Sequence, residues 1–216
     1  VIYQWGISKM TPDKIFELIK SVKYNTSGLS VEWKILIDEV DGVIRLLFQE
    51  SESKEDWKTN FDFPAKVYKR QKTFFLVHGG YKKAWKSCND EIVKALIDAK
   101  LRFPLYKVQV VGWSYGGAMA LLAAEDYKFR SGIPVTEIMT FGAPKPLWGI
   151  LTWRHFKKSA LKINQYSLTY DLVSWLPPLY LRLNTKIVDK KNCWKLWRVF
   201  NVEKYHCSYG NEEYYK

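Results

Sequence analysis

Residues 108–124, VQVVGWSYGGAMALLAA, constrain this chain more than any other stretch. An apolar, β-branched run passes through a tight turn into a run of alanine and leucine. The turn carries G-x-S-x-G as Gly112-Trp113-Ser114-Tyr115-Gly116. A bare G-x-S-x-G is a weak signal, but between a buried strand and a buried helix it has the context of a nucleophile elbow. Such a turn holds its serine in strained backbone geometry, so small residues must flank it. Gly112, Gly116, Gly117 and Ala118 meet that need. The helix that follows points its unpaired N–H groups toward the place where negative charge develops during acyl transfer. The plainer reading of the same residues is a tight strand-to-helix turn with a buried serine.

The rest of the chain supplies partners for this strand and helix. Thr11 and Pro12 open an amphipathic helix to about Val22. Ser30–Asp38 and Val43–Phe48 read as strands joined by an Asp41-Gly42 hairpin. Residues 50–72 are polar and charged, a surface excursion anchored by Trp57, Phe61 and Phe63. Thr73–Val77 is a short apolar run, and residues 81–100 have helical periodicity. Tyr106–Val111, Val135–Phe141 and Leu161–Leu168 read as further strands, with a helix within 146–160. Strands alternating with helices predict a central, mostly parallel mixed sheet flanked by helices, an α/β fold. No linker or internal repeat interrupts residues 1–216, so one domain is expected.

A serine nucleophile needs a base, and the chain has three histidines. Around an elbow of this kind the partners follow in the order Ser, acid, His, which removes His78. His155 lies in the basic segment WRHFKKS, where a surface role is expected. His206 lies in the loop-like EKYHCSYG and is the preferred base. The acid must orient the imidazole and stabilise its charged form. Asp171 ends the strand-like LKINQYSLTYD, and catalytic groups gather at the carboxyl ends of strands. Asp126 and Asp189 are the weaker candidates. A turn or cap role is the plainer reading of Asp171.

Lysine and arginine number 34 against 22 acidic residues, a net charge of +12. That balance favours anionic surfaces, although a solvated basic surface explains it as well. No basic run is long enough for a nucleic-acid tail. The three cysteines, Cys88, Cys193 and Cys207, cannot complete a disulfide framework and lack metal-ligand spacing. They lean toward a reducing, cytoplasmic compartment. No apolar run reaches the length of a membrane span, and no signal peptide is legible. The chain begins at Val1, which leaves a removed leader open.

Taken together, these segments resemble the class 3, fungal-type lipases of the α/β-hydrolase superfamily, over about residues 31–210. The family's V-T-G-H-S-L-G-G-A stands here as VVGWSYGGA. Its F-R-G-T, D-W and D-F segment is matched by FQESESKEDWKTNFDF at 48–63. VHGGYKKA at 77–84, TFGAP at 140–144, DLVSWLPP at 171–178 and HCSY at 206–209 follow in the family's order. The resemblance implies a carboxylester hydrolase acting on lipid or acyl esters, without metal or organic cofactor. It carries the triad onto Ser114, Asp171 and His206. It also carries oxyanion-hole roles onto Ser51 and the backbone N–H of Tyr115, and a lid or lid-hinge role onto Trp57.

Three departures stand out. Trp113 replaces the usual histidine, Gln49-Glu50 replaces Arg-Gly, and Tyr115 replaces leucine. The triad is untouched, but substrate class is left open among lipase, phospholipase A1 and small-ester esterase. Gln49-Glu50 keeps alive an alternative, a catalytically weak lipid- or acyl-chain-binding module. Residues 175–200 interleave aromatic, aliphatic and basic residues. They suit either contact with an anionic membrane or a strand packed on the core. A nucleic-acid partner is not expected, because the triad order has no role there.

Overall fold

The structure, a computed structural model, describes residues 10–49, 64–70, 73–188 and 202–215. Its main sheet contains β1 (Asn25–Ser27), β2 (Val31–Asp38), β3 (Val43–Phe48), β6 (Lys107–Trp113), β7 (Val135–Phe141), β9 (Ala160–Ser167) and β10 (Thr185–Ile187). They lie side by side in that order. The first two pairings are antiparallel and the remaining four parallel. This is the expected mixed, mostly parallel sheet. Gly42 turns the β2–β3 hairpin at φ 60°, where a side chain would be strained.

Alternation along the strands sorts the core into two layers. Ile44, Leu46, Val108, Val110 and Ile138 face α2 (Gly79–Arg102) and α3 (Tyr115–Ser131). Leu47, Val111, Trp113, Met139, Phe141 and Tyr166 face the other way, onto Ile15, Phe16 and Ile19 of α1 (Pro12–Ser21). Helix α1 is amphipathic and offers one apolar stripe, which is why it can cover only part of that face. Beside it the sheet changes chemistry. Arg45 Nε donates to Gln109 Oε1 at 3.0 Å, and Gln109 Nε2 to Glu137 Oε2 at 2.9 Å. Asn164 Nδ2 donates to Glu137 Oε1 at 2.6 Å. This row runs across four adjacent strands and pairs each buried polar group with its neighbour.

A second, three-stranded sheet was not expected. It contains β4 (Ala65–Lys69), β5 (Phe74–His78) and β8 (Leu147–Trp148), all antiparallel. AKVYK is too short and too charged to read as a strand, and its Tyr68 is held by stacking on Phe75 at 5.0 Å. Two short α-helices, α4 (Ile150–Phe156) and α5 (Val202–His206), and two 3-10 turns, Leu172–Trp175 and Glu212–Tyr215, complete the described elements.

Candidate active site

Strand β6 ends at Trp113 and helix α3 begins at Tyr115, leaving Ser114 alone between them. Ser114 has φ 51° and ψ −127°, a conformation that a non-glycine residue adopts only under constraint. The constraint is visible in the neighbours. Ser114 N–H donates to Phe141 O at 2.9 Å, and Gly117 N–H to Ser114 O at 2.9 Å. A Cβ at Gly112 would lie 2.2 Å from Gly116 O, and one at Gly116 would lie 2.4 Å from Gln49 O. The small residues of the motif are therefore required by contact.

Asp171 lies beyond the end of β9 and caps a 3-10 turn, Leu172–Trp175. The strand stops at Ser167, one residue short of the expected Leu168, so Asp171 stands in the loop beyond it and not at the end of a strand-like run. The cap bond and the pairing with His206 fall on the same carboxylate. Asp171 Oδ1 accepts from Val173 N–H at 3.1 Å, while both carboxylate oxygens lie 3.0 Å from His206 Nδ1. A carboxylate only accepts, so Nδ1 carries the proton and a neutral ring keeps its lone pair on Nε2. Tyr209 OH donates to Asp171 Oδ2 at 2.6 Å and accepts from Leu168 N–H at 3.0 Å. Burial and then the Asp171 charge push the Tyr209 phenol well above its usual range, which keeps it a donor. The final tyrosine of HCSY is a second clamp on Asp171, a role the sequence reading did not assign.

His206 is the last residue of α5, where a loop had been expected. Gly142 marks where the segments meet. It follows Phe141, the acceptor for Ser114 N–H, and has φ 57°. A Cβ there would lie 2.6 Å from Asp171 Oδ2 and 2.9 Å from His206 Nδ1. The structure thus brings the elbow serine, Asp171 and His206 to one end of the parallel strands. Tyr115 occupies the first turn of α3, its ring edge-on to Tyr81 at 5.5 Å. Ser51, Trp57, Glu50 and Asp189 lie outside the described residues.

The other candidates go elsewhere. Asp126 sits twelve residues along α3 from Ser114, about 18 Å at the rise of an α-helix. Its carboxylate meets Arg130 Nε at 2.9 Å, Asn89 Nδ2 at 2.9 Å, Trp85 Nε1 at 3.1 Å and Arg70 Nη2 at 3.2 Å. His155 stacks on Phe75 at 4.7 Å, and its Nε2 lies 2.9 Å from Glu125 Oε1. Among the described residues no group of three or more His, Cys, Asp or Glu is arranged to hold a metal ion.

Topology and elbow together define an α/β-hydrolase. Comparison with known proteins narrows this. The sequence pattern of class 3 lipases matches residues 45–181, more than half of the chain, and the chain belongs to that family. Secreted mono- and diacylglycerol lipase 2 of Gibberella zeae is 36% identical over 69 residues, covering 32% of this chain and 17% of that protein. The Rhizomucor miehei lipase is 25% identical over 167 residues, covering 76% of this chain and 44% of its own. The solved structure of a Rhizopus microsporus var. chinensis lipase superposes with a TM-score of 0.69 at 22% identity, covering 85% and 67% of the two chains. The chain spans less than half the length of these two curated relatives.

The relatives correct one expectation. Several are named secreted lipases, against the lean toward the cytoplasm. The lean rested on counting thiols, and a count does not separate a buried thiol, Cys88, from an exposed one, Cys207. Cys88 is buried in the core, where burial and then Glu91 push its thiol up to about 12. It packs as a small apolar residue and is inert in either redox environment.

Proposed function

We propose that this chain is a serine carboxylester hydrolase acting on acylglycerol-type lipid esters through Ser114, His206 and Asp171. The observation that carries the reading is the buried His206–Asp171 pair packed on Gly142, next to Phe141, whose carbonyl accepts the N–H of the strained elbow serine. In this mechanism Ser114 Oγ attacks the ester carbonyl carbon while His206 Nε2 takes its proton. The N–H groups of Tyr115 and Ser51 hold the oxyanion. Collapse breaks the bond to the alcohol, which leaves with the proton from His206, and Ser114 keeps the acyl group. Water then attacks the acyl-enzyme, His206 takes its proton, and the carboxylic acid departs as the proton returns to Ser114. Asp171 accepts the Nδ1–H of His206 throughout and holds the tautomer. Mono- and diacylglycerols are the first substrates to test, since the Gibberella zeae relative is named for them. A fluorophosphonate will label Ser114 and no other serine, as read by peptide mapping. A folded sample without label, or labelled elsewhere, favours the binding-module alternative.

The partner that fits the surface is an anionic membrane. Trp175, Leu176 and Leu179 are 43%, 40% and 80% exposed. They lie beside β8, joined through Lys145 N–H to Leu176 O and Leu181 N–H to Leu147 O, each at 2.7 Å. Trp148 extends the patch, its ring 5.0 Å from Tyr180. In the described part of this segment these apolar groups are therefore not core. Trp194 and Trp197 lie outside the described residues. Burying such groups at an interface contributes roughly 25 cal/mol per Å² of apolar area. The net charge of +12 adds an attraction that salt screens. Co-sedimentation will show stronger binding to anionic than to zwitterionic vesicles, weakened by moderate salt and weakened further by Leu179→Asp. Equal partitioning to both vesicles removes the electrostatic part of this reading.

A further inference from the structure

The geometry points to Trp113 as a positioning residue that fixes His206 relative to Ser114, an inference that rests on the triad proposed above. Trp113 stands where related lipases carry histidine, and its indole does something specific. Nε1–H donates to the backbone oxygen of His206 at 3.2 Å, within the buried interior. His206 closes α5, a helix of only five residues. The last carbonyls of a helix have no amide of their own to meet. Cys207 N–H goes back to Glu203 O and Ser208 N–H to Tyr205 O. The carbonyl of His206 is met instead by Trp113, from another part of the chain.

The other end of this connection is rigid. Trp113 is the last residue of β6, registered against Phe141 of β7, and Ser114 follows it directly. Phe16 packs edge-on against the indole at 5.3 Å, at 77° between planes. The indole in turn lies 5.8 Å from the His206 imidazole, ring to ring. One side chain therefore links the strand that bears the nucleophile to the backbone of the base. Asp171 sets the rotation of the imidazole from its Nδ1 side, and Trp113 sets where its backbone stands. A shift of about 1 Å between reacting groups costs on the order of 10²-fold in rate, so this link acts on kcat.

The test removes the donor and leaves the shape. A tryptophan analogue with sulfur in place of the indole N–H, placed at position 113, is expected to lower kcat ~10-fold or more with KM within about twofold. A fluorotryptophan there, which keeps the N–H, is expected to retain wild-type kcat. Melting temperature and near-ultraviolet dichroism are read on all three proteins. A sulfur variant with wild-type kcat, or a fluorinated variant that loses as much, overturns the inference. A second readout needs no variant that folds. In the wild-type protein the Trp113 indole proton is expected to exchange slowly and to shift when Ser114 is phosphonylated; fast exchange overturns the link. Wild-type protein that is neither labelled at Ser114 nor active sinks the triad reading, and the positioning role with it. A labelled, active wild type with an undiminished sulfur variant sinks the positioning role alone.

Discussion

Ser114→Ala and His206→Ala are each expected to lower kcat on a short acyl ester by at least ~10³-fold, because triad members act as one unit. His155→Ala is expected to leave kcat near wild type. The contrast follows from where the two histidines sit. His206 Nδ1 faces both oxygens of Asp171, whereas His155 lies against Glu125 and Phe75. Steady-state kinetics on the three variants decide the matter. Activity lost in His155→Ala and kept in His206→Ala would place the base elsewhere.

Asp126→Ala separates the two buried aspartates in the opposite sense. Its expected effect is on stability, a loss of about 1–3 kcal/mol, because Trp85 Nε1 and Asn89 Nδ2 lose their acceptor, while Arg70 keeps Glu125 and Arg130 keeps Asp90. Arg70 and Arg130 both contact this carboxylate, and Trp85 and Asn89 donate to it. The turnover of folded molecules is expected to stay near wild type. Burial pushes the Asp126 carboxyl up, but hydrogen bonds from Arg130 and Asn89 and the charges of Arg70 and Arg130 outweigh it. Its pKa lies below the usual carboxylate value. The stability it contributes is thus complete above that usual value and is lost as pH falls through the folded-state pKa. Urea melts of wild type and Asp126→Ala at neutral and acid pH will show a difference that shrinks on acidification. A difference that stays constant would mean the carboxylate charge is not what stabilises the network.

Much of this arrangement was legible because it follows from local chemistry. The Asp41-Gly42 hairpin, the apolar runs of β3 and β7, and the glycine pattern around Ser114 each state a backbone requirement within a few residues. What was not legible depends on contacts distant in sequence. The second sheet joins β4, β5 and β8, and β8 is only two residues long. Tyr209 as a clamp on Asp171 required knowing that residues 168, 171 and 209 meet. His206 at a helix end, instead of in a loop, reflects a helix of five residues, too short for periodicity to register. The cysteine count failed for another reason: composition does not separate the buried Cys88 from the exposed Cys207, and it was the secreted relatives that overturned the lean.

Phe16 touches Trp113 at 5.3 Å, Phe141 at 5.3 Å and Tyr209 at 5.7 Å, so one residue of α1 braces the strand ends and the C-terminal segment together. The segments it joins lie nearly two hundred residues apart along the chain. Docking of so short a helix is a local equilibrium that can open well below the free energy of melting the sheet. Heat or mild denaturant would then abolish the proposed ester hydrolysis before the sheet unfolds. Loss of activity would report the release of α1, with the sheet's dichroism intact.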